Sequence, residues 1–278
     1  MRDLLILSTM LLGACGTPND PAPVGHTTEL AQCKASITPN YMEDSRDTVL
    51  FNGLACYGGD SHSCSIVKET IVTPDGPLCR RKPIGLGMDG VICPDTDPNA
   101  YSRDMLLGVM AYVLATDDVT AYNAAITWIE DNGRLSEEHA MTPSMRHLVN
   151  LVGIHVGGPQ LSGASADPAD VVTWASASTV TGYQAHLVAV KLELMKHMGY
   201  DGGRLSGLDE AARRLAERFP ANSFFQYVAG NTAEAEFMIL KQCENMPAVG
   251  EGWKWQRDAL NEFSGLDMRF VIDLLLGG

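Results

Sequence analysis

The sequence predicts an all-α fold, built of helical hairpins that form an (α/α) toroid-like or superhelical domain. Three observations predict it. Apolar residues recur with the helical period along most of the chain after residue 104, similar turn sequences separate the apolar runs, and alternating strand patterns are rare. The one candidate strand, residues 65–72, alternates only in part. A disulfide-stapled, loop-rich segment near the N-terminus completes the predicted architecture.

The N-terminus has the pattern of an exported lipoprotein. An apolar run over residues 4–12 is shorter than the roughly 20 residues of a membrane-spanning helix, and it is typical of a signal peptide. The sequence Leu12-Gly13-Ala14-Cys15 resembles the lipobox of bacterial lipoproteins. This resemblance implies a signal peptide over residues 1–14, lipidation of Cys15 and attachment to the membrane. Gly16 in place of aspartate favours the outer membrane, facing the periplasm or the cell surface; an ordinary secretory signal is the alternative.

The remaining chain divides into a tether and one domain. Residues 15–32 are rich in proline, glycine and threonine, which bury little apolar surface, and we expect a flexible, lipid-anchored tether there. Residues 33–278 then form a single α-helical domain, long enough for a substantial core. The net charge of -14 argues against nucleic acid as a partner, because phosphates would be repelled. A glycan or an envelope protein is compatible with it.

Cysteines other than Cys15 predict disulfide bonds. Six of the seven cysteines remain, and in an exported chain they imply up to three disulfides. Four of them lie in residues 56–93, which we expect to be a loop-rich, cysteine-rich excursion. Zinc ligation is the alternative, but the spacing lacks a close C-x-x-C pair. The predicted pairs are Cys33–Cys243, Cys56–Cys64 and Cys79–Cys93.

The predicted helices are separated by a turn sequence that occurs twice, DNGRLS at residues 131–136 and DGGRLS at residues 201–206. In each copy a glycine is expected to end one helix in the left-handed conformation. A serine, Ser136 or Ser206, is expected to cap the next helix. Helical periodicity covers residues 104–114, 119–129, 145–156, 183–198, 208–219, 233–243 and 260–276.

Three Arg–Asp pairs open apolar runs: Arg46–Asp47, Arg103–Asp104 and Arg257–Asp258. Their spacing is close to multiples of about 50 to 60 residues, which suits one helical hairpin per step. Ser102 is the expected N-cap of a helix, with Asp104 in its first turn. An arginine in the first turn gains nothing from the helix dipole, so the arginines need another role. Two remain open: bidentate ties between helices, or a polar cleft at converging helix N-termini.

Aromatic and hydrogen-bonding side chains near these pairs favour a sugar-binding cleft. Sugar rings stack on aromatic faces, and sugar hydroxyls need planar donors and acceptors. Residues 222–227, NSFFQY, are either a second aromatic wall or core packing, with core packing favoured, and the histidines within helical runs are expected to be packed or solvent-facing. The candidate substrate-binding residues are Arg46, Asn52, His62, Arg80, Arg103, Trp255, Arg257 and Asp258.

An exported, all-helical domain with polar and aromatic residues at helix starts resembles the (α/α) toroids of glycoside hydrolases and polysaccharide lyases. The resemblance covers the architecture of residues 40–278 and implies a cleft at the mouth of a ring. Hydrolysis would need a general acid with a raised pKa and a partner carboxylate; Asp104 and Asp47 are the catalytic candidates. We therefore expect an envelope lipoprotein that recognises or processes a glycan. The alternative is a non-catalytic envelope scaffold that binds another protein.

A weak calcium pattern precedes the second Arg–Asp pair. Asp95, Asp97 and Asn99 place oxygen ligands at the first, third and fifth positions of a calcium loop. The glycine and the final glutamate of such a loop are missing. Calcium is therefore a hypothesis for this segment, and a proline-rich turn is the alternative.

Overall fold

Helices dominate the computed structural model of the chain, as the sequence predicts. It describes residues 26–37, 47–71, 80–81, 91–92, 102–136, 139–163, 182–199, 205–244 and 265–277. The helices of these segments are α1 (Thr27–Ser36), α2 (Asp47–Tyr57), α3 (Ser61–Ile71), α4 (Arg103–Thr116), α5 (Val119–Asn132), α6 (Pro143–Val156), α7 (Gly182–His197), α8 (Leu205–Arg218), α9 (Ser223–Val228), α10 (Thr232–Glu244) and α11 (Gly265–Leu275).

Two short antiparallel ribbons accompany the helices. In the first, β1 (Arg80–Arg81) pairs with β2 (Val91–Ile92). In the second, β3 (Arg134–Ser136) pairs with β4 (His139–Ala140). Neither ribbon has more than two strands, so the core is formed by helices.

The start of α4 confirms one local prediction. The Ser102 hydroxyl accepts a hydrogen bond from the backbone N–H of Met105 at 3.3 Å, which satisfies one of the free donors at the helix start. Asp104 lies in the first turn, where its charge complements the helix dipole. Asp118 caps α5 and Thr142 caps α6 in the same way.

The two turn sequences fit their prediction only in part. Gly133 ends α5 with φ of 66°, the left-handed conformation that was expected. The prediction for Ser136 was wrong: it lies in β3, and the next helix is capped by Thr142 instead. Ser206 lies inside α8, which begins one residue earlier, so it does not cap that helix. The glycines of the second copy lie outside the described residues.

Two predicted boundaries also need correction. Helix α1 begins at Thr27 and buries Leu30 and Cys33, so the end of the predicted tether, residues 15–32, belongs to the folded domain. Part of the cysteine-rich excursion is helical rather than loop-rich, because α3 occupies Ser61–Ile71. Its partly buried face carries Val67, which lies fully in the core.

Helix α4 is central to the described core. Every residue from 105 to 114 is buried, and α2, α3, α5, α6 and α7 all pack against this helix. A helix that is buried on all sides needs apolar residues all round, and residues 105–114 (MLLGVMAYVL) provide them.

Helices α2 and α4 cross at a pair of glycines. A Cβ atom added at Gly53 would lie 2.1 Å from the carbonyl oxygen of Gly108. One added at Gly108 would lie 2.2 Å from the carbonyl oxygen of Val49. The backbones therefore touch directly, and only glycine fits at the crossing. Each glycine follows one of the Ser-Arg-Asp sequences, so these repeats end in a shared packing contact.

Two of the three predicted disulfides are confirmed. Cys33–Cys243 joins α1 to α10 with Cα atoms 5.8 Å apart, and Cys56–Cys64 joins α2 to α3 with Cα atoms 4.7 Å apart. Both distances suit a disulfide. Cys79 and Cys93 lie outside the described residues, and their pairing stays a prediction.

Ion pairs bind the last helix to the first helices. Arg269 of α11 donates to the Asp60 carboxylate at 3.3 Å, and Lys34 of α1 contacts the buried Asp273 carboxylate. Asp60 also accepts the backbone N–H groups of His62 and Ser63 and so caps α3. One of the two roles considered for Arg–Asp pairs, ties between helices, is thus realised by other residues. Among the described helices, none is both long and apolar enough to cross a membrane.

Candidate functional site

The predicted site residues that the structure describes have different environments. Arg103 is exposed at the start of α4, and Asp104 beside it is half-buried. His62 is exposed in the first turn of α3. Asn52 on α2 has no exposed surface, which suits a packing role in the core and not direct contact with a ligand. Of Asp47 and Arg80 only the backbone is described.

The remaining predicted residues cannot be placed relative to these. Their convergence into one cleft, the sugar-binding role of the tryptophan and the calcium hypothesis all stay predictions. The residues that lie outside the described segments are Arg46, Asp95, Asp97, Asn99, Trp255, Arg257, Asp258 and the lipidation residue Cys15.

Helix α7 carries an unusual set of buried ionisable side chains. His186 is 1% exposed, Lys191 8% and Glu193 9%. Ionisable groups are seldom buried without a structural or functional reason, because a charge loses its hydration in the core. The environments of the three groups differ.

His186 is a core residue held by aromatic rings. Its imidazole lies 6.0 Å from the Phe51 ring and 5.5 Å from the Phe224 ring, between centroids. Complete burial lowers the pKa of His186 to about 3, so the ring is neutral at physiological pH. The packing role predicted for helical histidines fits this residue.

Lys191 connects α7 to the beginning of α6. Its ammonium donates a hydrogen bond of 2.9 Å to the hydroxyl of Ser144, and both residues are buried. The Ser144 hydroxyl also lies 3.2 Å from that of Thr142, the N-cap of α6. This contact lies inside the core, so we interpret it as a tie between two helices.

Glu193 has a different environment, in which its charge affects two tyrosines. Burial raises the pKa of its carboxyl group to about 7, and the nearby Lys196 offsets part of that effect. The pKa of Tyr57 is raised by burial first and by Glu193 second, and the pKa of Tyr227 is raised by the same two causes. At neutral pH both phenols keep their protons and can donate hydrogen bonds.

The cation nearest to Glu193 is engaged elsewhere. The ammonium of Lys196 donates to the carbonyl oxygen of Val228 at 2.8 Å and lies 3.0 Å from the carboxylate of Asp209. Lys196 therefore links α7 to α8 and α9. Its charge is balanced by Asp209 and not by a direct bond to Glu193.

Hydrogen-bonding capacity remains unused around Glu193. The Tyr57 hydroxyl is buried and makes no hydrogen bond within the described structure. Buried polar groups in native proteins almost always have partners, and an exception indicates a bound water or ligand.

His197 completes this group, which we call the Glu193 cluster: Tyr57, Glu193, His197 and Tyr227. The His197 and Tyr57 rings meet edge to face with centroids 5.0 Å apart. Partial burial of the ring, and then the charge of His155, lower the pKa of His197. His197 is exposed whereas the two tyrosines are half-buried, so the cluster extends from the core to the surface.

An aromatic seam leads from the core to the cluster. The Tyr57 ring lies 6.1 Å from that of Phe270, which in turn lies 5.5 Å from Phe224. Phe270 on α11 thus packs against Tyr57, and Phe224 on α9 packs against Phe270. Two outcomes were considered for residues 222–227, NSFFQY. Phe224 and Phe225 pack in the core, which was the favoured alternative, whereas Tyr227 belongs to the Glu193 cluster.

The sequence analysis did not select Glu193, although the spacing of ionisable residues along α7 indicates which of them share a helix face. In a helix, positions 186, 193 and 197 share one face, because seven residues make nearly two turns and four make about one. Lys191 lies on a different face. An apolar helix packs most of its surface in the core. Because the ionisable residues of α7 lie on more than one face, at least one of them must be buried.

Within the described segments, no group of three or more metal-binding side chains lies close enough to hold an ion. A carboxyl group with two phenols and an imidazole suits a polar organic ligand.

Protein-family models, curated protein sequences and solved structures provide no match to this chain.

Proposed function

We propose that the chain is an envelope lipoprotein whose helical domain recognises a glycan at the Glu193 cluster. The observation that carries the proposal is the buried Tyr57 hydroxyl, which has no hydrogen-bond partner, in a ring contact with the exposed His197. A glycan would supply the missing partner, because each sugar hydroxyl both donates and accepts.

The chemistry of the cluster favours a hydroxyl-rich ligand over an anionic one. Tyr57 and Tyr227 donate from neutral phenols, and Glu193 accepts when it is ionised. An anion would instead face Glu193 in a protein with a net charge of -14.

Recognition is better supported than processing. A pKa of about 7 suits Glu193 to general acid catalysis at neutral pH. Glycoside hydrolysis, however, uses a second carboxyl group across the scissile bond. Asp209, the carboxylate that pairs with Lys196, is mostly exposed. The roles of Asp104 and Asp47 as acid and partner remain part of the proposal for processing.

The cellular setting belongs to the same proposal. The lipobox-like sequence ending at Cys15 supports lipidation, and the two disulfides between described cysteines suit an oxidising compartment. The (α/α) toroid-like or superhelical arrangement is likewise proposed, on the strength of the helical content. Replacement of Cys15 by serine should move the protein from the membrane fraction to the soluble fraction of cells.

A glycan-binding assay tests the central claim. The detergent-solubilised full chain is screened against a panel of envelope and extracellular glycans, with Glu193→Gln as the test variant. Glu234→Gln is the matched control, because Glu234 is an exposed glutamate on α10. Binding should be weakened about tenfold or more by the first change and unaltered by the second. Failure of the wild-type chain to bind any glycan would refute the proposal.

A protein-binding scaffold is the second candidate, and one observation favours it. Phe237 on α10 is 60% exposed, which is unusual for a large aromatic side chain. A photo-crosslinking residue at position 237 in intact cells should capture one defined envelope protein if this face is an interface. The same group at exposed Lys241 is the control.

A further inference from the structure

The outward side of α10 carries apolar and charged side chains in a regular order. Phe237 is 60% exposed, whereas Ala235 and Ile239 on the opposite side of the helix are fully buried. We call the outward side the Phe237 face, and its members are Ala233, Glu234, Phe237, Leu240 and Lys241. We propose that the Phe237 face binds the same face of a second copy of this chain, with the two α10 helices antiparallel.

The five positions have the spacing of a helix that packs lengthwise against another helix. Ala233, Phe237 and Leu240 are four and three residues apart, which places them in one stripe along the helix. Glu234 and Lys241 are seven residues apart, close to two full turns, so both lie along one edge of that stripe. Leu240 is partly exposed and the other four residues are exposed. The face is therefore apolar along its centre and charged along one edge.

The order of the charges selects a second copy in the antiparallel direction. Glu234 precedes Phe237 by about 4.5 Å along the helix axis, and Lys241 follows it by about 6 Å. In an antiparallel pair with its two-fold axis at Phe237, each Glu234 faces Lys241 of the other copy, and the two phenyl rings meet. Because the same surface supplies both halves, the contact is isologous. A parallel pair would instead place like charges at the same height.

The apolar edge fits the same arrangement. Ala233 and Leu240 lie on opposite sides of Phe237 along the chain, so the antiparallel pair sets the small Ala233 against Leu240 of the other copy. Helix α10 has 13 residues, which corresponds to a length of about 20 Å. A contact of that length is small for a protein interface, so we expect a reversible dimer with a Kd on the order of 10 µM.

Charge reversal with compensation tests the pairing. Sedimentation velocity of the detergent-solubilised full chain measures the Kd of the dimer. Glu234→Lys alone and Lys241→Glu alone should each raise the Kd about tenfold, because each places like charges opposite one another. The two changes combined should return the Kd to within about threefold of the wild-type value. Phe237→Ser, which removes the ring at the centre of the contact, should raise it about a hundredfold.

Charge reversals on another helix are the matched controls. Glu69→Lys and Lys68→Glu change exposed residues of α3 and should leave the Kd unaltered. A wild-type chain that stays monomeric up to about 200 µM would overturn the proposal. A combined variant that dimerises as poorly as either single reversal would contradict it too, because Glu234 and Lys241 would then not face each other.

Photo-crosslinking distinguishes a second copy from another protein. In the antiparallel dimer, positions 237 and 241 both face the second copy, so a photo-crosslinking residue at either position should join two copies of this chain. Capture of a different protein at position 237, without a crosslink at position 241, would reject the dimer and favour the scaffold candidate.

Discussion

At the scale of single residues, burial decides what the ionisable groups of α7 can do. His186 and Glu193 lie on one face of the helix, yet burial moves their pKa values in opposite directions, to about 3 and about 7. The physical cause is the same, because the core disfavours whichever form carries the charge. Both groups are therefore pushed towards neutrality, and only Glu193 is left close enough to neutral pH to switch.

The raised pKa of Glu193 predicts a pH-dependent stability. The folded state binds a proton up to about pH 7, whereas the unfolded chain releases it near 4.5. The free energy of unfolding should therefore fall as pH rises between these values. Glu193→Gln should remove this loss, which corresponds to about 3 kcal/mol. Urea denaturation from about pH 4 to about pH 8 measures it.

The result is the difference between the wild type and Glu193→Gln in how the free energy of unfolding depends on pH. At about pH 4 both proteins carry a neutral side chain here, and their stabilities should agree closely. At about pH 8 the variant should be the more stable one. Parallel profiles over the whole range would show that Glu193 is hydrated and that its pKa is not raised.

At the scale of elements, the repeated Ser-Arg-Asp sequences are helix starts that lead to a close crossing. Ser102 and Asp104 behave as local helix physics predicts. The meeting of Gly53 with Gly108 was not predictable in the same way, because it depends on two helices that lie 55 residues apart in the chain. The repeat showed where the helices begin, but not that α2 and α4 touch.

The crossing predicts a strong effect of a single methyl group. Gly108→Ala places a Cβ against the Val49 carbonyl, which cannot move without displacing α2. The variant should lose about 3 kcal/mol of unfolding free energy. Gly157→Ala is the control: its site has open space but a φ of 70°, so its cost should be about 1 kcal/mol. Similar losses in both variants would contradict a direct backbone contact.

At the scale of the whole molecule, links distant in sequence hold the first and last helices together. The Cys33–Cys243 disulfide spans 210 residues, and the Lys34–Asp273 ion pair connects the same helix to α11. The Cys56–Cys64 disulfide spans only 8 residues. In the chain-entropy description, a cross-link stabilises more when it closes a longer loop of the unfolded chain.

The two disulfides should therefore contribute differently to the free energy of unfolding. Replacing Cys33 and Cys243 by alanine should cost about 5 kcal/mol, and replacing Cys56 and Cys64 about 2.5 kcal/mol. Chemical denaturation followed by circular dichroism provides the comparison. A larger loss for the short-range pair would show that local packing of α2 on α3, and not chain entropy, dominates.

Much of the fold could be predicted from the sequence, whereas the candidate site could not. Helical periodicity and capping are local, so α4, α5 and α6 were found close to their observed bounds. The pairing of Cys33 with Cys243 was chosen from fifteen possible connectivities and is confirmed. Glu193 was missed because its raised pKa comes mainly from burial, and burial by residues distant in the chain leaves no local trace in the sequence.

If the chain is anchored through Cys15, as proposed, the Cys33–Cys243 disulfide has a mechanical consequence. A force applied through the proposed tether would reach the domain at α1. The disulfide passes that load directly to α10, and the contact of Lys34 with Asp273 shares it with α11. Tension would thus be borne by a covalent bond near the point of attachment, and the Glu193 cluster, on α2, α7 and α9, would keep its shape under load.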